Sequence, residues 1–248
     1  MFKLFLDPGH GGSDPGAVGN GLEEKDVTLA ISLNIRDILE KEYRDVVVMM
    51  SRTGDTFPTL QERTNAANRW RADYYLSIHI NSGGGTGFES YVDAGVDSQT
   101  VSFQNSIHSE IAKVIGIRDR GKKQARFHVI HASSMPALLT ENGFIDNPSD
   151  AAKMKDLNWI QNVARAHVVG LAKAFNLTKK PVQEERQVAE RDIHVVSDWA
   201  KQDWDEAVAN GYFDGTRPGA PLTREEAAIV INRLRHNLLA LINKPSNP

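Results

Sequence analysis

Over residues 1–175 the chain alternates between two kinds of hydrophobic pattern. Short, largely apolar runs at 2–6, 46–50 and 74–82 read as buried strands. Segments 87–92, 127–130 and 137–141 read as further short strands. Between these runs the apolar residues recur every three to four positions. Val27, Ala30, Ile31, Ile35, Ile38 and Leu39 make one such stripe and predict a helix over about 26–42, capped by Asp26. The same spacing predicts helices over 60–72, 99–115, 150–154 and 159–175. A strand-helix-strand-helix rhythm of this kind predicts an α/β fold, with a twisted, mostly parallel sheet flanked by helices on both faces.

The pattern then stops. Residues 177–192 are charged and almost free of apolar side chains, which reads as a linker. Beyond it, Trp199, Ala200, Trp204, Ala207 and Val208 form one helical stripe, and Ala227, Val230, Ile231, Leu234 and Leu238 another. The expected organisation is a large domain over 1–176, a linker over 177–192 and a small, mainly helical domain over 193–248.

Composition narrows the chemistry. The formal net charge of −3 on 248 residues argues against nucleic acid as a partner. There are no cysteines, so a thiol nucleophile, a disulfide framework and a thiolate metal site are all excluded. Any metal must be held by histidine and carboxylate, which suits zinc, manganese or iron. No apolar window is long enough for a membrane span. The N-terminal run is interrupted by Lys3 and ended by Asp7, unlike a signal peptide. The expectation is synthesis in the cytoplasm, with some other route outwards if the protein acts outside.

Polar residues stand at the strand exits. The first strand runs into Asp7-Pro8-Gly9-His10-Gly11-Gly12, the third ends around His79 before Gly83-Gly84-Gly85, and a later one ends at Glu141. Strands of a parallel sheet open their C-terminal ends onto one edge, where α/β proteins bind ligands. Two histidines and a carboxylate gathered there make a three-ligand metal site with an open position, and a further carboxylate can serve as general base. Glu23 and Glu24 lie in the loop after His10 and are both available. A phosphate-binding glycine loop fits less well, because no Gly-Lys-Ser/Thr follows.

Four motifs occur in order: Leu6-Asp7-Pro8-Gly9-His10-Gly11-Gly12, Glu24-Lys25-Asp26, Ser77-Ile78-His79-Ile80-Asn81-Ser82, and Pro136-Ala137-Leu138-Leu139-Thr140-Glu141-Asn142-Gly143-Phe144. Together with Arg52 and Leu60-x-x-Arg63-x-x-x-Ala67-Asn68, they resemble the zinc-dependent N-acetylmuramoyl-L-alanine amidases of type 3. The resemblance implies hydrolysis of the amide between N-acetylmuramic acid and the L-alanine of the peptidoglycan stem peptide. It implies one zinc per chain held by His10, Glu24 and His79, with Glu141 as the catalytic carboxylate and Asn81 and Arg63 near the substrate. Two positions depart from the family: Asn142, where threonine is frequent, and Lys122-Lys123, near which an apolar residue is usual.

The C-terminal stretch resembles an S-layer homology repeat, through Asp198-Trp199-Ala200, Gly211-Tyr212-Phe213-Asp214-Gly215-Thr216-Arg217-Pro218 and Thr223-Arg224-Glu225-Glu226. That resemblance implies binding of a secondary cell-wall polymer, with Arg224 on the acidic sugar. Glu225 stands where the motif has alanine. A single repeat in place of the usual three leaves room for a homo-oligomer assembled through this module. An amidase joined to a wall-binding module without a signal peptide resembles a bacteriophage endolysin released by a holin. A host autolysin and a non-catalytic wall-binding protein are the alternatives.

Overall fold

The computed structural model describes residues 1–181, 195–196, 198–216 and 224–242. The chain divides into two compact units, Met1–Pro181 and Val182–Pro248.

The first unit is built on a sheet of six strands. In chain order these are β1 (Phe2–Pro8), β4 (Val46–Met50), β5 (Tyr74–Asn81), β6 (Phe88–Val92), β7 (Asp119–Gln124) and β8 (Ala137–Phe144), while β2 (Val18–Gly19) and β3 (Leu22–Glu23) form a small separate ribbon. The spatial order is β4-β1-β5-β8-β6-β7. Strands β4, β1, β5 and β8 run parallel, and β6 turns antiparallel to β8. The helices are α1 (Glu24–Glu42), α2 (Leu60–Trp70), α3 (Ser98–Val114), the single turn α4 (His128–His131), α5 (Pro148–Met154) and α6 (Leu157–Phe175). This is the mixed α/β architecture that the alternating pattern predicts.

Alternation along the strands sorts side chains between two cores. Leu4, Leu6, Tyr74, Leu76, Ile78 and Leu138 pack into the larger one, with the α1, α3 and α6 side chains. Phe5, Tyr75, Ala137 and Leu139 turn to the smaller one, with Ala67 of α2 and Val129 and Ile130 of α4. Asp7 and Glu141 continue that second set two residues further along β1 and β8, and His79 continues it four residues beyond Tyr75 on β5. The site therefore lies on the thinly covered face, where the strands emerge.

Three expectations are corrected. Segment 127–130 is not a strand: it leads into α4, whose consecutive residues Val129 and Ile130 both reach the core, where a strand would turn them to opposite faces. Strand β7 was not anticipated, because Asp-Arg-Gly-Lys-Lys-Gln carries no apolar period. It is an edge strand, where charge is tolerated and discourages further pairing. Helix α1 begins at Glu24, so Asp26 lies inside its first turn and does not cap it. In addition, the first unit runs past 176. Arg44 N donates to the Thr178 carbonyl (3.0 Å) and Lys180 N to that of Glu42 (2.7 Å).

In the second unit a 3-10 turn (Asp198–Ala200) leads into α7 (Lys201–Ala209), and α8 spans Arg224–Ile242. Trp204 stacks on Phe213, with ring centroids 5.1 Å apart. Arg233 Nη1 donates to the Gly211 carbonyl (2.9 Å). The Thr223 part of the S-layer-like motif, Arg217-Pro218 and most of the expected linker lie outside the described residues, as does the side chain of Arg224. Among the described residues, no helix is long and apolar enough to cross a membrane.

Candidate metal centre and active site

Glu24 is the centre of the site. It occupies the first turn of α1, where the helix dipole favours a negative charge, and only 3% of it is exposed. Its Oε1 accepts from Ile80 N (2.9 Å) and its Oε2 from Ala17 N (2.9 Å). His79 Nδ1 lies 3.0 Å from Oε1 and His10 Nε2 3.2 Å from Oε2. Burial opposes ionisation here, but the bonds from His10 and His79 outweigh it and hold Glu24 well below the usual carboxylate range. His10 is raised for the matching reason: burial disfavours its charge, and Glu24 and Asp14 more than restore it.

One donor atom from each of His10, Glu24 and His79 fits within a 4.8 Å cluster. Two imidazole nitrogens and a carboxylate oxygen are a donor set that zinc accepts, with a coordination position left open. The second ring nitrogen of His10 is taken by Asp14 (Nδ1 to Oδ2, 2.8 Å), which leaves Nε2 facing Glu24. Glycine makes room for the rings. A Cβ on Gly9 would lie 2.4 Å from His79 Cε1, and one on Gly16 would lie 2.6 Å from His10 Cδ2. Of the two acids left open by the sequence, Glu24 is the one between the histidines; Glu23 Oε2 lies 3.4 Å from Lys25 Nζ.

The loop bearing His10 is held by two arginines. His10 itself adopts φ 60°, a left-handed conformation uncommon outside glycine. Arg63 Nη1 donates to the Pro8 carbonyl (2.7 Å) and Nη2 to that of His10 (2.7 Å). Arg52 Nη2 donates to the carbonyl between them, that of Gly9 (2.7 Å). Arg63 also pairs with Asp7 at 2.8 Å, both side chains being 2% exposed or less. Burial raises the Asp7 carboxyl, but the Arg63 charge and the side-chain contacts from Ser51, Arg63 and Tyr75 together outweigh it and hold it below the usual range. Arg63 was expected at the substrate. It borders the cavity, but its guanidinium is committed to Asp7 and to the carbonyls of Pro8, His10 and Pro58.

Glu141 stands beside His79 in the β5–β8 register and opposite Glu89 in the β6–β8 register. Its Oε2 is buried and has no hydrogen-bond partner. Burial, then the charges of Glu24 and Glu89, push its carboxyl well above the usual range. Glu89 is the opposite case. Burial would raise it too, yet bonds from Lys123, Tyr91 and Arg120 hold it down to about 2. Lys123, one of the family departures, is thus the partner of a buried carboxylate (Nζ to Oε1, 2.7 Å). Asn142, the other, donates to the His79 carbonyl (3.2 Å) and to Thr140 Oγ1 (3.1 Å).

A cavity of about 440 Å³ opens here. Gly9, His10, Asp14, His79 and Glu141 line it on the polar side; Phe57, Leu60, Phe127, Val129 and Leu139 give it apolar walls. Asn81 does not line it: its Nδ2 donates to Glu89 Oε2 (3.3 Å). Of the remaining histidines, His128 lines the cavity, while His108 bonds Ser90 and Asp119, and His167 bonds Thr140 and the Val163 carbonyl, all within the core. Sequence reasoning missed Asp14, the Asp7–Arg63–Arg52 brace and Glu89. A carboxylate four residues after His10, and one at a core-facing position of a strand, were the available signals.

Residues 4–173 match the family model described as N-acetylmuramoyl-L-alanine amidase. The chain is 59% identical over 179 residues to the sporulation-specific N-acetylmuramoyl-L-alanine amidase of Bacillus subtilis, covering 72% of this chain and 70% of the relative. It is 44% identical over 187 residues to the endolysin of Bacillus phage SPP1, covering 73% and 69%. The solved catalytic domain of the amidase CwlV from Paenibacillus polymyxa superposes with a TM-score of 0.68 at 33% identity, covering 72% of this chain and all of that one.

Two outcomes follow from the electrostatics. Arg63→Ala leaves Asp7 buried and unpaired, so it should lower the unfolding free energy by ~3–5 kcal/mol in denaturant titration. The raised Glu141 contributes stability that is present below the ordinary carboxyl value of 4.5 and lost as the pH rises through its native value. Metal-free Glu141→Gln should therefore gain thermal stability over wild type on moving from acid to neutral pH. An equal offset at both ends would contradict the assignment.

Proposed function

The chain belongs to the N-acetylmuramoyl-L-alanine amidase family, and from that premise we propose that it is a zinc-dependent peptidoglycan hydrolase, cutting the amide that joins N-acetylmuramic acid to L-alanine. The observation that carries the reading is the juxtaposition of three donor atoms within 4.8 Å and an unpartnered carboxylate at the adjacent register position. His10, Glu24 and His79 would hold one zinc per chain. Zinc in such a set supplies a Lewis acid that polarises the scissile carbonyl and makes water acidic enough to attack near neutral pH.

The residues of the chain do the rest. Glu141 takes one proton from the attacking water at its free Oε2. The hydroxyl oxygen bonds to the lactyl carbonyl carbon, the carbon–nitrogen bond breaks, and Glu141 passes its proton to the departing alanine nitrogen. Its raised affinity for a proton suits the second half of this cycle; a cation held by His10, Glu24 and His79 would favour the ionised form needed for the first. Asp14 fixes the His10 ring, and Arg52 and Arg63 fix the loop that carries it. Phe57, Leu60 and Phe127 exclude water from the approach.

The biological setting has two readings. The 44% identity to a phage endolysin supports lysis from within after holin release. The 59% identity to a sporulation-specific amidase supports a host autolysin. In both, the second unit targets the enzyme to a secondary wall polymer through Arg224, and assembles copies of the chain where one repeat binds too weakly. Purified protein should contain about one zinc per chain, and digestion of peptidoglycan should release new L-alanine amino termini with the glycan intact. Glu141→Ala should keep the zinc and lose at least ~100-fold in turnover. New reducing ends, or full activity after chelation, would sink the proposal.

A further inference from the structure

The polar side chains around the cavity are nearly all committed. Asp7 is bound to Arg63, His10 to Asp14 and Glu24, and His79 to Glu24. Two groups at the wall are left over. One is Glu141, with its unpartnered oxygen. The other is His128, which lines the cavity and is exposed, and whose imidazole makes no hydrogen bond among the described residues.

His128 is free, but the turn that carries it is not. Val129 and Ile130, the next two residues, are buried at 4% exposure in the smaller core. Asn68 of α2 ties down the far side of the turn, donating to the Ala132 carbonyl (3.0 Å) and accepting from Ser134 N (2.9 Å). His131 is held by Asp93 Oδ2 (2.8 Å) and pairs with Arg126 Nη2 (2.9 Å). An imidazole whose backbone is held in place, at a cavity wall and with both ring nitrogens free, is available to a ligand. The apolar walls can shelter a peptide but cannot orient it. A few convergent polar groups do that in most binding sites.

Resting on the amidase reading above, we propose that His128 is a substrate-binding residue: one ring nitrogen donates a hydrogen bond to a carbonyl or carboxylate oxygen of the stem peptide, fixing the amide against Glu141. His128 thereby sets the recognition of the peptide side of the bond, while the metal-centre residues act at the lactyl side.

The test separates this from the amidase reading by measuring binding as well as turnover. In the zinc-loaded Glu141→Gln chain, titration calorimetry gives the dissociation constant for a soluble muramyl dipeptide. Adding His128→Ala should weaken it by ~3- to 10-fold, the worth of one hydrogen bond. His128→Gln, which keeps a donor, should recover part of that. In the otherwise wild-type chain, His128→Ala should raise KM on the same peptide more than it lowers kcat, with zinc content unchanged. Equal dissociation constants with and without His128, or no binding in either, would overturn the proposal. Binding that depends on His128 without release of alanine amino termini by wild type would keep it and overturn the reaction.

Discussion

A buried carboxylate with an imidazole on each side holds this site together. Glu24 is removed from water, yet stays ionised because two backbone amides and two histidines meet its oxygens. Those contacts join the loop after β1, the start of α1 and the exit of β5, which are far apart in sequence. Without that carboxylate, the two rings would have no common partner. With it, their nitrogens are gathered at the spacing a small cation requires. The helix dipole and the β2–β3 ribbon, which ends at Glu23, place the carboxylate where the sheet opens.

The arginine brace solves a different problem. A loop rich in glycine can carry a histidine into a left-handed conformation, but it does not keep it there. Arg52 and Arg63 take three successive carbonyls, and Asp7 balances the charge they bring into the interior. On the opposite flank, Glu89 is neutralised by Arg120 and Lys123, whereas Glu141 keeps a buried oxygen with no hydrogen-bond partner. Of the two, Glu141 is the one at the cavity wall, where the proposed reaction moves a proton. Two carboxylates in adjacent register positions have opposite proton affinities because one has cations beside it and the other does not.

Much of this was legible beforehand, for a physical reason. Buried parallel strands need unbroken apolar runs, and amphipathic helices need a 3.6-residue stripe, so the sheet and its main helices could be read from Leu4, Val48, Ile78 or Ile31. His10, His79 and Glu141 stood out because they stand where such runs end at strand exits, whereas Glu24 was separated from Glu23 only by the family resemblance. What could not be read was set by tertiary pairing. The strand β7 has no apolar period, since it is held by its neighbour and not by a core. The turn α4 carries two consecutive apolar residues, Val129 and Ile130, which read as part of a strand but both point inward. Arg63 carries a motif signature but spends its donors on Asp7 and on backbone, a role that only the folded chain reveals.

The central claim is that His10, Glu24 and His79 form one metal-binding centre with Glu141 beside it. Anomalous scattering at the zinc edge from crystals grown with zinc tests it most directly. The account predicts a single strong peak in the first unit, about 2.0–2.2 Å from a ring nitrogen of each histidine and from a Glu24 oxygen, with Glu141 outside bonding distance. A peak on other residues, or one that includes Glu141 as a ligand in place of Glu24, would contradict it.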